Sequence, residues 1–339
     1  MPGPTPIAVD AMGGDRAPDE VVAGALAALE RYEDVALQVV GRPDALEPLL
    51  AGAPRARLTL VPAPDVVAMD ESPARALKRK PGASVAVCAQ RVAAGEAAAY
   101  VSAGNTGAVV AASLFHGGLL AGVHRPGIAV VFPTRSGTTV LCDVGANLAM
   151  RPEHYLQYAV MASAYSEDVL GTAAPRVALL NVGTEEGKGS REIKAVQRLL
   201  EGAAAQGLFR FTGSVEGNHL FEGAADVVVC GGFVGNAVLK TVQGVTRAVI
   251  QELGAAWTAE GADPALGERI RARLHQATDY TTFGGAPLLG AQGCAIIAHG
   301  RSDARAIQHA IRAARDFAVR GVNQHIAQRL GELESKGVA

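Results

Sequence analysis

Three asparagines, a lysine and a histidine stand where small-residue loops follow apolar runs. Asn105, Asn147 and Asn236 each follow Gly or Ala, Lys188 lies between Gly187 and Gly189, and His299 closes the run CAIIA. An amide donates to a phosphate or a carbonyl oxyanion, an ammonium offsets anionic charge, and an imidazole moves a proton near neutrality. The loops themselves recur: DAMGGD (10–15), SAGNTG (102–107), DVGAN (143–147), NVGTEEGKG (181–189) and CGGFVGN (230–236). Glycine lets the main chain approach a ligand closely, and a helix start offers unpaired N–H groups to an anion. Asp10, Asp15 and Asp143 serve either as helix caps or as carboxylates that hold the donors in place. Each residue also has a plainer use: Asn in a left-handed turn, Lys in solvent, His as a structural hydrogen-bonder, Gly at a tight turn. Five loops with recurrent Asn point to an extended anion-handling cleft on one edge of a sheet.

Better-known chemistries do not match. No GxGxxG follows the first strand, and neither GxSxG nor HExxH occurs. The stretch Gly183-Thr184-Glu185-Glu186-Gly187-Lys188-Gly189-Ser190 is near a P-loop. Its glycine spacing is one short, Gly189 separates Lys188 from Ser190, and two carboxylates sit where phosphate would lie. Cys88, Cys142, Cys230 and Cys294 form no CxxC pair, which argues for reduced core thiols and against a zinc or redox motif. No metal is expected.

The elements that must position these loops alternate. Apolar runs recur at 7–11, 37–41, 58–62, 99–103, 128–132, 139–143, 177–181, 226–230 and 294–298. Helical patterns follow at 18–33, 73–94, 107–121, 152–170, 189–205, 235–256 and 302–319. Wholly apolar strands between helices predict an α/β chain of three layers, a mostly parallel sheet with helices on both faces. In such a sheet, ligands bind beyond the carboxyl ends of the strands. The polar stretch at 257–282 reads as a protruding helical pair, and no linker divides the 339 residues. The net charge of −2 excludes nucleic-acid binding through bulk positive charge, and 4% aromatics leave little for base stacking. The start, MPGPTPIAVDAMGGD, lacks the basic and long apolar regions of a signal peptide. Residues 97–124 carry no Asp, Glu, Lys or Arg, but polar and glycine interruptions leave no apolar run long enough to span a membrane.

Colinear segments then give the sequence a family. VDAMGGD (9–15), SPARALKRK (72–80), SAGNTGA (102–108), DVGAN (143–147), RPEHYLQYAVM (151–161), LLNVGTEEGKG (179–189), VEGNHLFEG (215–223), ADVVVCGGFVGNAVLKT (225–241), YTTFGGAPLLG (280–290) and HGRSDARAI (299–307) closely resemble the bacterial phosphate acyltransferase (PlsX) family. The resemblance implies one domain over 5–332, with a fold like the isocitrate and isopropylmalate dehydrogenases and 240–278 as a dimer or membrane-facing projection. It implies transfer of a long-chain acyl group from acyl carrier protein to inorganic phosphate, giving acyl phosphate for phospholipid synthesis. It also implies a homodimer without cofactor, cytoplasmic but peripherally associated with the inner membrane face. There a glycerol-3-phosphate acyltransferase consumes the product.

Fitted to the reaction that the resemblance implies, each candidate takes an expected role. Ser102, Gly104, Asn105, Thr106 and Gly107, with Lys188 and Gly187, bind phosphate; Gly13, Gly14 and Gly235 permit close approach. Asn147, Asn236 and His299 line the acyl-carbonyl side, His299 protonating the departing sulfur. Asp10 and Asp143 orient the donors. Two basic patches offer docking for an acidic carrier: Arg75, Lys78, Arg79 and Lys80, and, at helical spacing, Arg191, Lys194 and Arg198. Trp257, the only tryptophan, suits either an interface or burial in a dimer. Two other readings stand beside this one: a metal- and NAD-dependent dehydrogenase, by fold analogy, and a non-catalytic membrane scaffold for acyltransferases.

Overall fold

The computed structural model describes residues 3–185, 187–278 and 283–337, with backbone alone at 275–278. Glu186 and Tyr280–Thr282 of the family segments therefore lie outside the described residues. In chain order the elements are β1 (Thr5–Asp10), α1 (Asp19–Arg31), β2 (Val35–Gly41), α2 (Pro43–Leu46), β3 (Leu58–Pro62), α3 (Pro73–Arg79), α4 (Ser84–Ala93) and β4 (Ala99–Ser102). Next come α5 (Thr106–His116), β5 (Gly127–Thr134), β6 (Gly137–Cys142), α6 (Pro152–Asp168), β7 (Arg176–Leu180), α7 (Arg191–Ala205), β8 (Arg210–Val215) and β9 (Val227–Val229). The last are α8 (Gly232–Ala259), α9 (Pro264–Thr278), β10 (Ala286–Leu289), β11 (Cys294–Ile297), α10 (Ala304–Val319) and α11 (Val322–Ser335).

One eleven-stranded sheet runs β3-β2-β1-β4-β11-β10-β5-β6-β9-β7-β8. Strand alternation feeds two cores. Ile7 and Val9 face one side with α1, α6, α7, α10 and α11, whereas Ala8 faces the other with α3, α4 and α5. The three-layer α/β expectation holds, and the reason is this double-sided burial.

The sheet changes direction at its middle. β3, β2, β1, β4 and β11 are parallel, but β11–β10, β10–β5 and β5–β6 pair antiparallel. Three reversals leave β6, β9, β7 and β8 parallel to one another and opposed to the first group. The expectation of five loops on one edge is corrected accordingly. The loops after β1, β4 and β11 leave one edge, and those after β6, β9 and β7 leave the other.

Smaller differences have local causes. The helix expected over 73–94 is two, because Pro81 has no N–H and disfavours helical backbone at Lys80. The projection is a helical pair, as expected, but α8 begins earlier, at Gly232, and only Gly232 and Gly235 of it are buried. Trp257 closes its far end: the indole N–H donates to the Asp263 carbonyl at 2.8 Å, and the ring packs where a Cβ on Gly267 would lie 2.8 Å away. The four cysteines are buried and free.

Candidate active site

A cavity of about 390 Å³ lies over the reversal of the sheet, on the face that carries α5 and α8. Ile128 and Val130 of β5, Ala286 of β10 and Ile297 of β11 make an apolar floor, widened by Val144, Leu148 and Leu239. The rim is polar and has two walls.

The first wall is held from behind by Asp10. Its carboxylate is buried and accepts from the Ser102 hydroxyl at 2.6 Å, while Ser102 Oγ accepts from the Gly104 N–H at 3.1 Å. Burial raises the Asp10 pKa, and the Ser102 and Ser84 hydroxyls only partly offset this. Gly13 is required here, because a Cβ would stand 2.5 Å from Asp10 Oδ2 and 2.8 Å from the Gly104 nitrogen. Gly14 has φ +110°, and beyond it the Asp15 N–H donates to the Gly300 carbonyl at 2.7 Å. The loops after β1, β4 and β11 are thus tied together. Gly104, Thr106 and Gly107 reach the cavity. Asn105 caps α5, accepting from the Ala108 N–H at 3.1 Å, and donates to the Met69 and Glu71 carbonyls at 3.0 and 3.1 Å. Its amide is spent on the fold. The N–H groups of Thr106 and Gly107, in the first turn of α5, precede any intrahelical acceptor, and both residues line the cavity.

The second wall is held by Asp143, which is fully buried. Its Oδ1 accepts from the N–H groups of Ile128, Gly145 and Ala146 at 3.0 Å each, and Oδ2 accepts from the Asn147 N–H at 2.9 Å. Asn147 does not line the cavity. Its amide donates to the Pro126 carbonyl at 2.6 Å and to the Tyr158 oxygen at 2.8 Å. α8 starts directly on this loop, since a Cβ on Gly235 would collide with the Asp143 carbonyl oxygen. The first turns of α8 then deliver Asn236, Leu239, Lys240 and Gln243 to the cavity. Among the described residues no protein group takes up the Asn236 amide. Lys240 Nζ donates to Gln243 Oε1 at 3.3 Å.

His299 joins the walls. It is half-buried, and burial followed by the Lys240 and Arg301 cations pushes its pKa below the ordinary imidazole value, against the pull of Asp15. Its Nδ1 accepts from the Arg301 N–H at 3.1 Å. The neutral ring therefore carries its proton on Nε2 and is a donor there.

Of the sequence-derived candidates, the structure brings Asp15, Gly104, Thr106, Gly107, Asn236 and His299 to the cavity. Asp10, Gly13, Gly14, Ser102, Asn105, Asp143, Asn147 and Gly235 support it from outside. Lys188 and Gly187 are exposed on the β7–α7 loop and do not line it; the Lys188 N–H donates to the Glu185 carbonyl at 3.2 Å. The lysine at the cavity is Lys240, which sequence reasoning passed over inside the segment VGNAVLKT. Its signal was the spacing Asn236, Lys240, one helical turn apart. The two basic patches are partly engaged. Lys80 pairs with Glu71 at 2.6 Å and Arg79 lies 3.4 Å from the same carboxylate, leaving Arg75 and Lys78 exposed without an ion pair among the described residues. On α7, Arg191 and Arg198 are exposed and Lys194 is half-buried. Among the described residues, no group of three or more His, Cys, Asp or Glu is placed to hold a metal.

Comparisons with known proteins agree with this frame. A family model described as "Fatty acid synthesis protein" matches residues 5–325. The chain is 47% identical to a phosphate acyltransferase of Heliobacterium modesticaldum, covering 96% of each, and 46% identical to one of Desulfitobacterium hafniense, covering 96% of this chain and 97% of that one. A phosphotransacetylase from Streptococcus pyogenes superposes with a TM-score of 0.64 at 16% identity, over 93% of this chain and 94% of that one. A 4-hydroxythreonine-4-phosphate dehydrogenase from Klebsiella pneumoniae gives 0.53 at 16%, over 94% and 98%. These two show a shared fold alone. On full-length identity, the chain belongs to the phosphate acyltransferase (PlsX) family of fatty acid and phospholipid synthesis and is an acyltransferase.

Proposed function

We propose that residues 5–332 act as one unit that transfers a long-chain acyl group from acyl carrier protein to inorganic phosphate. The observation that carries this is the cavity's division: an apolar floor beneath a rim made of the α5 start, Asn236, Lys240 and His299. A phosphate oxygen attacks the thioester carbonyl, the C–S bond breaks, and the proton carried by hydrogen phosphate ends on the carrier thiol. Acyl phosphate and free thiol are the products. Phosphate is already nucleophilic and the thiol leaves readily, with an ordinary pKa of about 8.5. No side-chain nucleophile is needed. The residues hold the reactants in line and oppose charge. The Thr106 and Gly107 N–H groups and Lys240 receive the phosphate; Asn236 and the His299 Nε2–H face the carbonyl oxygen and departing sulfur.

Palmitoyl-carrier and phosphate, mixed with the protein and EDTA and trapped with hydroxylamine, give the hydroxamate in this reading. Lipid or partner binding without any phosphate-dependent product supports the scaffold reading instead.

The same reading extends to the assembly. A second copy covers the exposed apolar residues of α8, Phe233, Val245 and Val249, giving a homodimer. No described helix is long and apolar enough to cross a membrane. In the proposal, the enzyme works in the cytoplasm and delivers acyl phosphate to a glycerol-3-phosphate acyltransferase at the inner membrane face.

A further inference from the structure

A second concavity, of about 730 Å³, is lined by His124, Arg125, Arg151, Glu153 and His154. It borders the cavity along two strips of chain. Ile128 lines the cavity and Arg125 the basin, so at most ~11 Å of extended chain separates them. Leu148 lines the cavity and Ala149, its neighbour, the basin. The Asn147 amide, donating to the Pro126 carbonyl at 2.6 Å, clamps the two strips together.

The basin concentrates positive charge on a chain whose net charge is −2. Among the described residues, neither Arg125 nor Arg151 has an ion-pair partner. His154 is 8% exposed, and its Nδ1 accepts from the Arg151 N–H at 3.1 Å. Its Nε2 is without a protein partner among the described residues. Burial, then His124 and Arg125, hold the His154 pKa below the ordinary value, with Glu153 opposing. The cations converge on this one imidazole, and an incoming carboxylate offsets them.

His124, Arg125 and Arg151 are exposed. Small-molecule sites enclose most of their ligand, whereas open arginines suit bidentate contact with carboxylates on a protein face. A donor that must leave after each turnover is also better held by steerable ion pairs than by a large apolar contact.

We propose that the Arg125–Arg151 basin docks the acidic face of the protein that carries the acyl thioester. This rests on the acyl-transfer reading above, and names where its partner sits. In place of the two sequence-derived patches, it uses the basic surface joined to the cavity through the 125–128 and 148–149 strips.

The test uses the full-length chain with Arg125→Glu/Arg151→Glu. The KM for acyl-carrier rises at least tenfold, while the KM for phosphate and kcat/KM for acyl-pantetheine, a thioester without the protein, stay within twofold. Binding of acyl-free carrier, read by fluorescence anisotropy, weakens by the same factor. Arg125→Lys/Arg151→Lys keeps carrier binding within about threefold and shows that the site tolerates substitution. Unchanged carrier binding, equal loss with acyl-pantetheine, or a larger loss from Arg75→Glu/Lys78→Glu overturns the proposal. So does an effect confined to free phosphate or coenzyme A, which would make the basin a small-anion site. Should wild-type protein form no acyl phosphate from either donor, the function fails, while the anisotropy arm still judges the surface.

Discussion

The two walls of the cleft are built from different materials. The wall of β1, β4 and β11 is built largely on small loop residues, Gly104, Thr106 and Gly107, positioned by Asp10 through Ser102. The wall of β6 and α8 presents side chains, Asn236 and Lys240, on a helix whose start rests on the Asp143 loop. The anchors differ likewise. Asp10 meets two hydroxyls and two backbone N–H groups and has its pKa raised by burial, whereas Asp143 collects four backbone N–H groups. A wall of small loop residues resists assignment by single substitution. A wall of side chains carries chemistry that truncation removes.

The largest expected effect separates the anchors. Asp143→Ala strands several backbone donors at once and costs about 3–5 kcal/mol in urea denaturation at pH 7. Asp10→Asn keeps an acceptor for Ser102 and changes stability by less than about 1 kcal/mol. The sign follows from linkage. A carboxyl whose pKa is raised on folding stabilises the fold most at low pH and loses that contribution as pH rises through the folded value. The neutral amide removes this penalty, so equal losses from the two variants would erase the contrast between the walls.

Next in size is the chemistry of the side-chain wall and of His299, which joins it to the other. Asn236→Ala and His299→Ala each lower kcat by about 10²–10³-fold, measured as hydroxamate formation at saturating phosphate. A KM effect alone would reduce them to binding groups. Lys240→Ala raises the KM for phosphate about tenfold, and Lys188→Ala changes it less than about threefold. The reverse order would show that the β7–α7 loop enters the site during turnover and that Lys188 grips the phosphate.

A finer test uses pH. Burial and the Lys240 and Arg301 cations hold the His299 pKa below the ordinary imidazole value, so the form whose Nδ1 accepts from Arg301 persists to lower pH than in a free imidazole, and the acid limb of kcat/KM reports its loss. Removing the Lys240 charge raises that pKa, so Lys240→Ala moves the limb upward. An unmoved limb would separate His299 from Lys240. The smallest effect is expected at the far end of α8. Trp257 packs on Gly267 and bonds to Asp263, so Trp257→Ala leaves liposome flotation unchanged; lost flotation would make the indole a membrane anchor.

Much of the fold was legible because burial on both faces writes unbroken apolar runs into strands such as VALLN and DVVVC. β8 was missed because RFTGSV alternates weakly at a sheet edge, and β10 because Pro287 and the flanking Gly285 and Gly290 read as a turn. α11 was readable, with Val322, Ile326, Leu330 and Leu333 on one face, but its polar surroundings hid the stripe. Some cavity residues stood out by type at strand ends, Gly104, Gly107, Asn236 and His299, whereas Lys240, about two turns into α8, did not. The division of the candidates into cavity and support was not legible. Asn105, Asn147 and Asn236 look alike in sequence, yet two of the three amides are consumed by carbonyls from distant segments.

The sequence by itself determined the layered α/β class, the glycine-rich loops and the family, because each is recorded in local pattern or in colinear segments. Only the tertiary structure decided which loops meet. Three antiparallel pairings at the centre of the sheet reverse its second half, and no local pattern encodes a pairing between strands as distant as β10 and β5. That reversal puts the cleft at the middle of the sheet, turns Lys240 toward it and leaves Lys188 outside.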